Sequence, residues 1–201
     1  MQIDLRIVEL LVARLCHDLI GPAAAIGNGV ELLADDDPDF MQDAIRLVGE
    51  SSLKVTRRLQ FYRFAYGFGG GGLAGPAPHA LAAELFADGN VELDYSETAR
   101  VLPLEWQKLA CNMLAVGSEA LPRGGRLVLT GSTALIELAA FGDGSGPSPE
   151  TCAALSLTTP SAELTSRSVG AYFAGLLARS LGCRLAVEHR PGGFRFTAAA
   201  S

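Results

Sequence analysis

From Val8 to Leu33 the apolar positions Val8, Val12, Leu15, Leu19, Pro22, Ile26, Val30 and Leu33 recur every three or four residues. That period puts them on one stripe of a long helix over residues 5–34. The run DDDPD at 35–39 ends the pattern, with Asp37 suited to cap a second helix and Pro38 to its first turn. The second helix is predicted to run to about Tyr66, with Met41, Ile45, Val48, Ser52, Val55, Leu59, Tyr62 and Tyr66 on its stripe. Two long amphipathic helices joined by a short turn make an αα-hairpin. Each helix covers only its partner's stripe, so half a core stays in water. A homodimer that joins two hairpins into a four-helix bundle removes that cost through isologous contacts.

GFGGGGLAGPAP at 67–78 breaks the composition. No Lys-Ser or Lys-Thr follows its glycines, so it reads as a linker and not as a phosphate-binding loop. Beyond it the periods are mixed. Residues 103–120 form a helix with Trp106, Leu109, Met113, Val116 and Ala120 inward, followed by strands at RLVLTG and ALIELAA. A helix at about 167–181, with Tyr172 and Phe173 as core aromatics, precedes the strands RLAVEH and GFRFTA, which Pro191-Gly192-Gly193 joins. Helices beside a largely antiparallel sheet make an α+β layer. The expected division is a hairpin at 1–67, a linker at 68–78 and a second domain at 79–201.

Nearly half of the 201 residues are apolar (49%) and only 19% are charged, which excludes a disordered chain. The net charge of −6 argues against a general binder of nucleic acid. Cys16, Cys111, Cys152 and Cys183 are too dispersed for a metal or disulfide motif and fit reduced thiols in the cytoplasm. The start has no basic segment leading an apolar block, and no uninterrupted apolar run approaches the ~18 residues of a membrane span. The expectation is a cytoplasmic protein with no membrane and no nucleic-acid partner.

The candidate chemistry lies on the first helix. At about 100° per residue His17 points nearly opposite the stripe, so it is not a core histidine. Its outer face carries Ala13, Ile20, Gly21, Ala24 and Asn28, with Arg14 to one side, where long charged residues would be usual. This small, smooth face leaves the imidazole open to a large partner. Gly21 weakens a helix interior and is explained by close approach or by a bend shared with Pro22. Positions 13 and 21 offer no second metal ligand. An exposed imidazole suits phosphoryl transfer when an acceptor holds its other proton, and Asp18 is the candidate acceptor. Arg14 is a candidate neighbour of the phosphoryl group or of a partner's acids. Arg46, Lys54, Arg57, Arg58 and Arg63 read as a solvated face of the second helix, from which Arg46 and Arg57 could touch an acidic partner.

CHDLIGP resembles the H-box of two-component histidine kinases, in which histidine and an acid stand on the first helix of a dimerising hairpin. LACNMLAVGSEALPRGG is similar to the N-box of their ATP-binding domain, IELAAFGDG to the strand and first glycine box, and VGAYFAGLLARSLGCRLAVEHRPGGFRFT to the last helix and strands. The ordered set spans nearly the whole chain and implies a Bergerat-type α/β sandwich after the hairpin. The departures lie at the nucleotide. Asn112 matches the first N-box asparagine, but Val116 stands where the magnesium ligand is expected. Ala140 takes the place of the adenine-binding aspartate, although a shifted alignment would offer Asp143. The second glycine box is reduced to Val169-Gly170-Ala171-Tyr172.

A histidine hairpin followed by such a domain resembles the ChpT-type histidine phosphotransferases. The resemblance implies a homodimer that accepts a phosphoryl group on His17 from a receiver-domain aspartate and passes it to response regulators. It implies no ATP on this chain, magnesium supplied by the receiver, and a second domain that serves as a docking surface. The alternatives are an ATP-dependent kinase core and a non-catalytic partner-binding module.

Overall fold

The computed structural model describes residues 4–33, 38–67, 75–132 and 135–200. Helix α1 (Leu5–Leu32) starts where the Asp4 carboxylate accepts the backbone N–H of Arg6 at 3.0 Å. Helix α2 (Pro38–Tyr66) begins at the expected proline. The proposed cap Asp37 and most of the proposed linker, 68–74, lie outside the described residues.

The two helices meet along a seam that is offset from the sequence stripes. Gly29 is buried, and a Cβ there would lie 2.6 Å from Val48 Cγ2 and 3.3 Å from the Ala44 carbonyl, so glycine permits this close crossing. Val8, Val12 and Val30 of α1 and its C-cap Leu33 stay exposed, as do Met41, Ile45 and Leu59 of α2. The stripes are therefore wider than one helix pair can cover. Averaged over its best 18 residues α1 has a mean hydropathy of 1.4, enough by length and composition to cross a membrane. The expectation from uninterrupted runs missed this, because averaging dilutes the charged residues between the apolar ones.

The second domain starts with α3 (Pro78–Phe86), β1 (Val91–Tyr95), the short α4 (Glu97–Arg100) and α5 (Leu104–Glu119). Strands β2 (Gly125–Ser132) and β3 (Leu135–Phe141) follow, then α6 (Pro149–Leu155), α7 (Val169–Ser180), β4 (Cys183–Arg190) and β5 (Gly193–Ala200). The sheet order is β1-β2-β3-β5-β4, antiparallel except for the parallel β1–β2 pair. A two-residue turn, Pro191-Gly192, joins β4 to β5, and Gly192 takes the positive φ of 72° that the turn requires. Alternation sends Leu127, Leu129, Ile136, Leu138, Ala140, Phe194, Phe196 and Ala198 inward. Leu109, Met113 and Val116 of α5 and Ala171, Ala174 and Ala178 of α7 share that core. Across the sheet, outward-facing Glu137 pairs with Arg195 at 2.9 Å. The fold is α+β, a helical pair followed by a mixed five-stranded sheet, as the pattern predicts. Trp106, Tyr172 and Phe173 are only partly buried, and β1, α3 and α6 have no counterpart in the sequence reading.

Phe61 and Ala65 of α2 are fully buried in the same cluster as Leu81 and Ala82 of α3, so the hairpin and the second domain share one core. Arg6 adds hydrogen bonds to the carbonyls of Ser161 and Leu164, both at 3.1 Å. These bonds tie the start of α1 to the second domain, and α1 also meets α7.

Candidate functional site

His17 stands on the free side of α1, with its side chain 86% exposed. Ala13, Ile20, Gly21, Ala24 and Asn28 are all exposed around it, and a Cβ at position 21 would meet nothing within 4 Å. Helix geometry had placed these six residues on one outer face, and the fold leaves that face open. His17 Nδ1 lies 3.5 Å from Asp18 Oδ1. This is the long end of a hydrogen bond, as expected for neighbours on a helix, which do not face one another squarely. With a proton on Nδ1 directed at that carboxylate, Nε2 keeps a lone pair facing solvent.

Asp18 is held from behind by α2. The Tyr62 hydroxyl donates to Asp18 Oδ2 at 2.7 Å. Burial, reinforced by the bond to Asp18, pushes the Tyr62 phenol well above its ordinary pKa, so it stays a donor. A second contact follows from Pro22. Its ring nitrogen has no hydrogen, so the carbonyl four residues earlier, that of Asp18, receives no bond from within the helix. The Arg58 guanidinium donates to that carbonyl instead. Arg58 therefore corrects the reading of a solvated basic face. Proline at 22 signalled that some donor was needed, but only the pairing of the helices shows which residue, 40 positions on, supplies it.

Arg14 is a larger correction. It does not border the open face but is buried, 8% exposed, between α1 and the second domain. Its guanidinium pairs with Glu119 at the end of α5 and donates to the Arg167 carbonyl at 3.3 Å. It lies flat on α7, where a Cβ at Gly170 would approach within 2.9 Å of it. The Tyr66 phenol beside it is raised above its usual pKa mainly by burial, with Arg14 opposing the shift. One turn of helix carries Arg14 into the core and His17 into water. Arg57, read as a possible partner contact, also turns inward to pair with Glu84 and Asp88. Arg46 is exposed and pairs with Asp43 at 3.0 Å.

The positions compared with a nucleotide site are filled by protein. Asn112 is buried, and its amide donates to the carbonyls of Ala65 and Lys108, both at 2.9 Å. It fastens the end of α2 to α5. Val116 and Ala140 are buried core residues, and Gly170 lies under Arg14. Among the described residues there is no group of three His, Cys, Asp or Glu side chains that could hold a metal.

The family model of the histidine phosphotransferase C-terminal domain matches residues 77–193. The protein phosphotransferase ChpT of Brucella abortus (strain 2308) is 39% identical over 125 residues, 60% of this chain and 58% of that protein. The matched stretch thus spans little more than half of that relative. A solved bacterial phosphotransferase is 30% identical and superposes with a TM-score of 0.81 over 98% of each chain. Both regions of the fold are included in that superposition, and with the match across the second domain it shows that the chain belongs to the histidine phosphotransferase family.

Proposed function

We propose that this protein is a phosphocarrier of a two-component phosphorelay, taking a phosphoryl group onto His17 from the aspartyl phosphate of a receiver domain and returning it to the aspartate of another. The observation that carries the reading is the exposed His17 imidazole with Asp18 behind it, on a face clear of bulky charged side chains. Histidine Nε2 attacks phosphorus, and the receiver's carboxylate leaves with the electron pair of the broken P–O bond. The positive charge gained by the imidazole is offset by Asp18 across the Nδ1 proton. The reverse attack by a second receiver's aspartate releases the group. Ala13, Ile20, Gly21, Ala24 and Asn28 form the docking face, and the receiver brings the magnesium that neutralises phosphate charge.

Two chemical arguments favour a carrier over an ATP-dependent kinase. Val116 and Ala140 offer neither a metal ligand nor a hydrogen-bond acceptor where the resemblance to kinases requires them. The Arg14 guanidinium also occupies the ground beside Gly170 where a glycine box would admit phosphates. The residues there do not fit a nucleotide. Dimerisation follows from the apolar strip left open along Val8, Val12, Val30 and Leu33 with Met41, Ile45 and Leu59, which a second hairpin would cover as a four-helix bundle. We assign α1 to that bundle and the protein to the cytoplasm, because Arg14, within the apolar helix, is tied to the second domain.

The test is to mix a phosphorylated receiver with wild-type protein and with His17→Gln. Label passing to the wild type alone supports the reading, and equal label on both refutes it. Millimolar ATP with magnesium is expected to label neither.

A further inference from the structure

We propose that Tyr62 is a positioning residue for phosphoryl transfer, its hydroxyl holding the Asp18 carboxylate so that the second oxygen faces His17 Nδ1. This rests on His17 being the phosphoacceptor. An aspartate beside a histidine on a helix does not orient it unaided, because adjacent side chains diverge and the carboxylate torsion is broad and two-fold. Here the carboxylate is divided between two partners. Oδ2 accepts the Tyr62 O–H at 2.7 Å, while Oδ1 lies 3.5 Å from the imidazole. With one oxygen occupied from the α2 side, the other is directed outward.

The phenol is itself well placed to act as a fixed point. Its ring packs edge-on against buried Phe61, with centroids 6.1 Å apart, and against Tyr66 at 5.7 Å. Tyr66 in turn meets Phe173 of α7 at 5.4 Å. The Asp18 orientation is thereby referred to the second domain through three aromatic rings, and Arg58 holds the Asp18 backbone one turn away along α2. During transfer the Nε2–P bond forms as the receiver's P–O bond breaks, and the Nδ1 proton is held by Asp18. The Tyr62 proton stays on its oxygen throughout, since the buried phenol has a raised pKa. Tyr62 therefore orients and does not exchange protons with the reacting ring.

Tyr62→Phe keeps the ring and removes only the hydroxyl. Label transfer from a phosphorylated receiver at saturating concentration is expected to slow about tenfold, a fraction of what a positioned base supplies. The concentration of receiver giving half-maximal rate should not change, because Tyr62 lies behind the docking face. In an Asp18→Asn background the same substitution should cost nothing more. A second readout needs no partner: nitrogen NMR of the His17 ring is expected to show the Nδ1–H tautomer favoured in wild type and weakened in Tyr62→Phe. Unchanged rate and tautomer overturn the proposal. So does a loss in half-maximal concentration alone, or a full tenfold loss added to Asp18→Asn. If the receiver labels no form of the protein, the phosphocarrier reading fails, and the tautomer alone then supports or overturns the positioning role.

Discussion

The outer face of α1 around His17 and the wall formed by α5 and α7 carry motifs whose sequence resembles those of histidine kinases, and the fold uses them in opposite ways. Around His17 the imidazole is open, small residues surround it and the supporting contacts come only from behind. Along α5 and α7 the corresponding positions are closed: Asn112 bonds to Ala65, Val116 and Ala140 lie in the core, and Arg14 covers Gly170. An exposed face contributes little to stability, whereas residues closed between packed elements contribute through burial and hydrogen bonds. Exposure and burial fall on residues one turn apart, the proposed phosphoacceptor His17 in solvent and Arg14 in the core.

The strongest way to break that comparison is His17→Gln. It should abolish acceptance of label while moving stability by less than about 0.5 kcal/mol, as for an exposed substitution without partners in the core. Urea unfolding beside the transfer assay checks both halves. Phe61→Ala should do the reverse, removing about 3–5 kcal/mol by emptying the core shared by hairpin and second domain. Transfer per folded molecule at low temperature should fall by no more than the roughly tenfold expected of Tyr62→Phe, because Phe61 only supports the Tyr62 ring and His17 is untouched. Asn112→Ala is expected to cost about 1–3 kcal/mol, because it strands the Ala65 carbonyl. A kinase-like role for Asn112 would instead leave stability untouched. Thiol labelling sharpens the contrast most gently. Burial pushes Cys111 up to about 12, so at pH 8 it stays a protonated, inaccessible thiol, while exposed Cys16, next to His17, reacts first. Cys111 should label only as the protein unfolds, and equal rates for the two would deny that the α5 wall is closed.

Much of the fold was legible in residue order. The stripes from Val8 to Leu33 and from Met41 to Tyr66 forecast α1 and α2, and alternation through RLVLTG, ALIELAA and GFRFTA forecast the strands that line the core. Strand β1, at five residues, is too short for its pattern to stand out, and α3 and α6 are short helices next to Gly- or Pro-rich segments. At the site, His17, Asp18 and the face from Ala13 to Asn28 could be found from spacing, because they share one helix. Arg14, Arg57 and Arg58 were misplaced for a common reason: a long side chain can bridge to an element far away in sequence, and helical phase alone does not say what stands opposite.

The amino-acid sequence by itself determined which residues share a helix face, where a backbone acceptor loses its donor at Pro22, and that His17 points away from the apolar stripe. These are consequences of a fixed helical period and of covalent structure. Tertiary structure decided what fills each vacancy. It set Tyr62 and Arg58 on Asp18, Glu119 and Gly170 around Arg14, and Asn112 on the end of α2. Those pairings join positions 40 to more than 100 residues apart, and it takes the packing of α2 on α1 for Asp18, and of the hairpin on the second domain for Arg14 and Asn112, to bring them into contact.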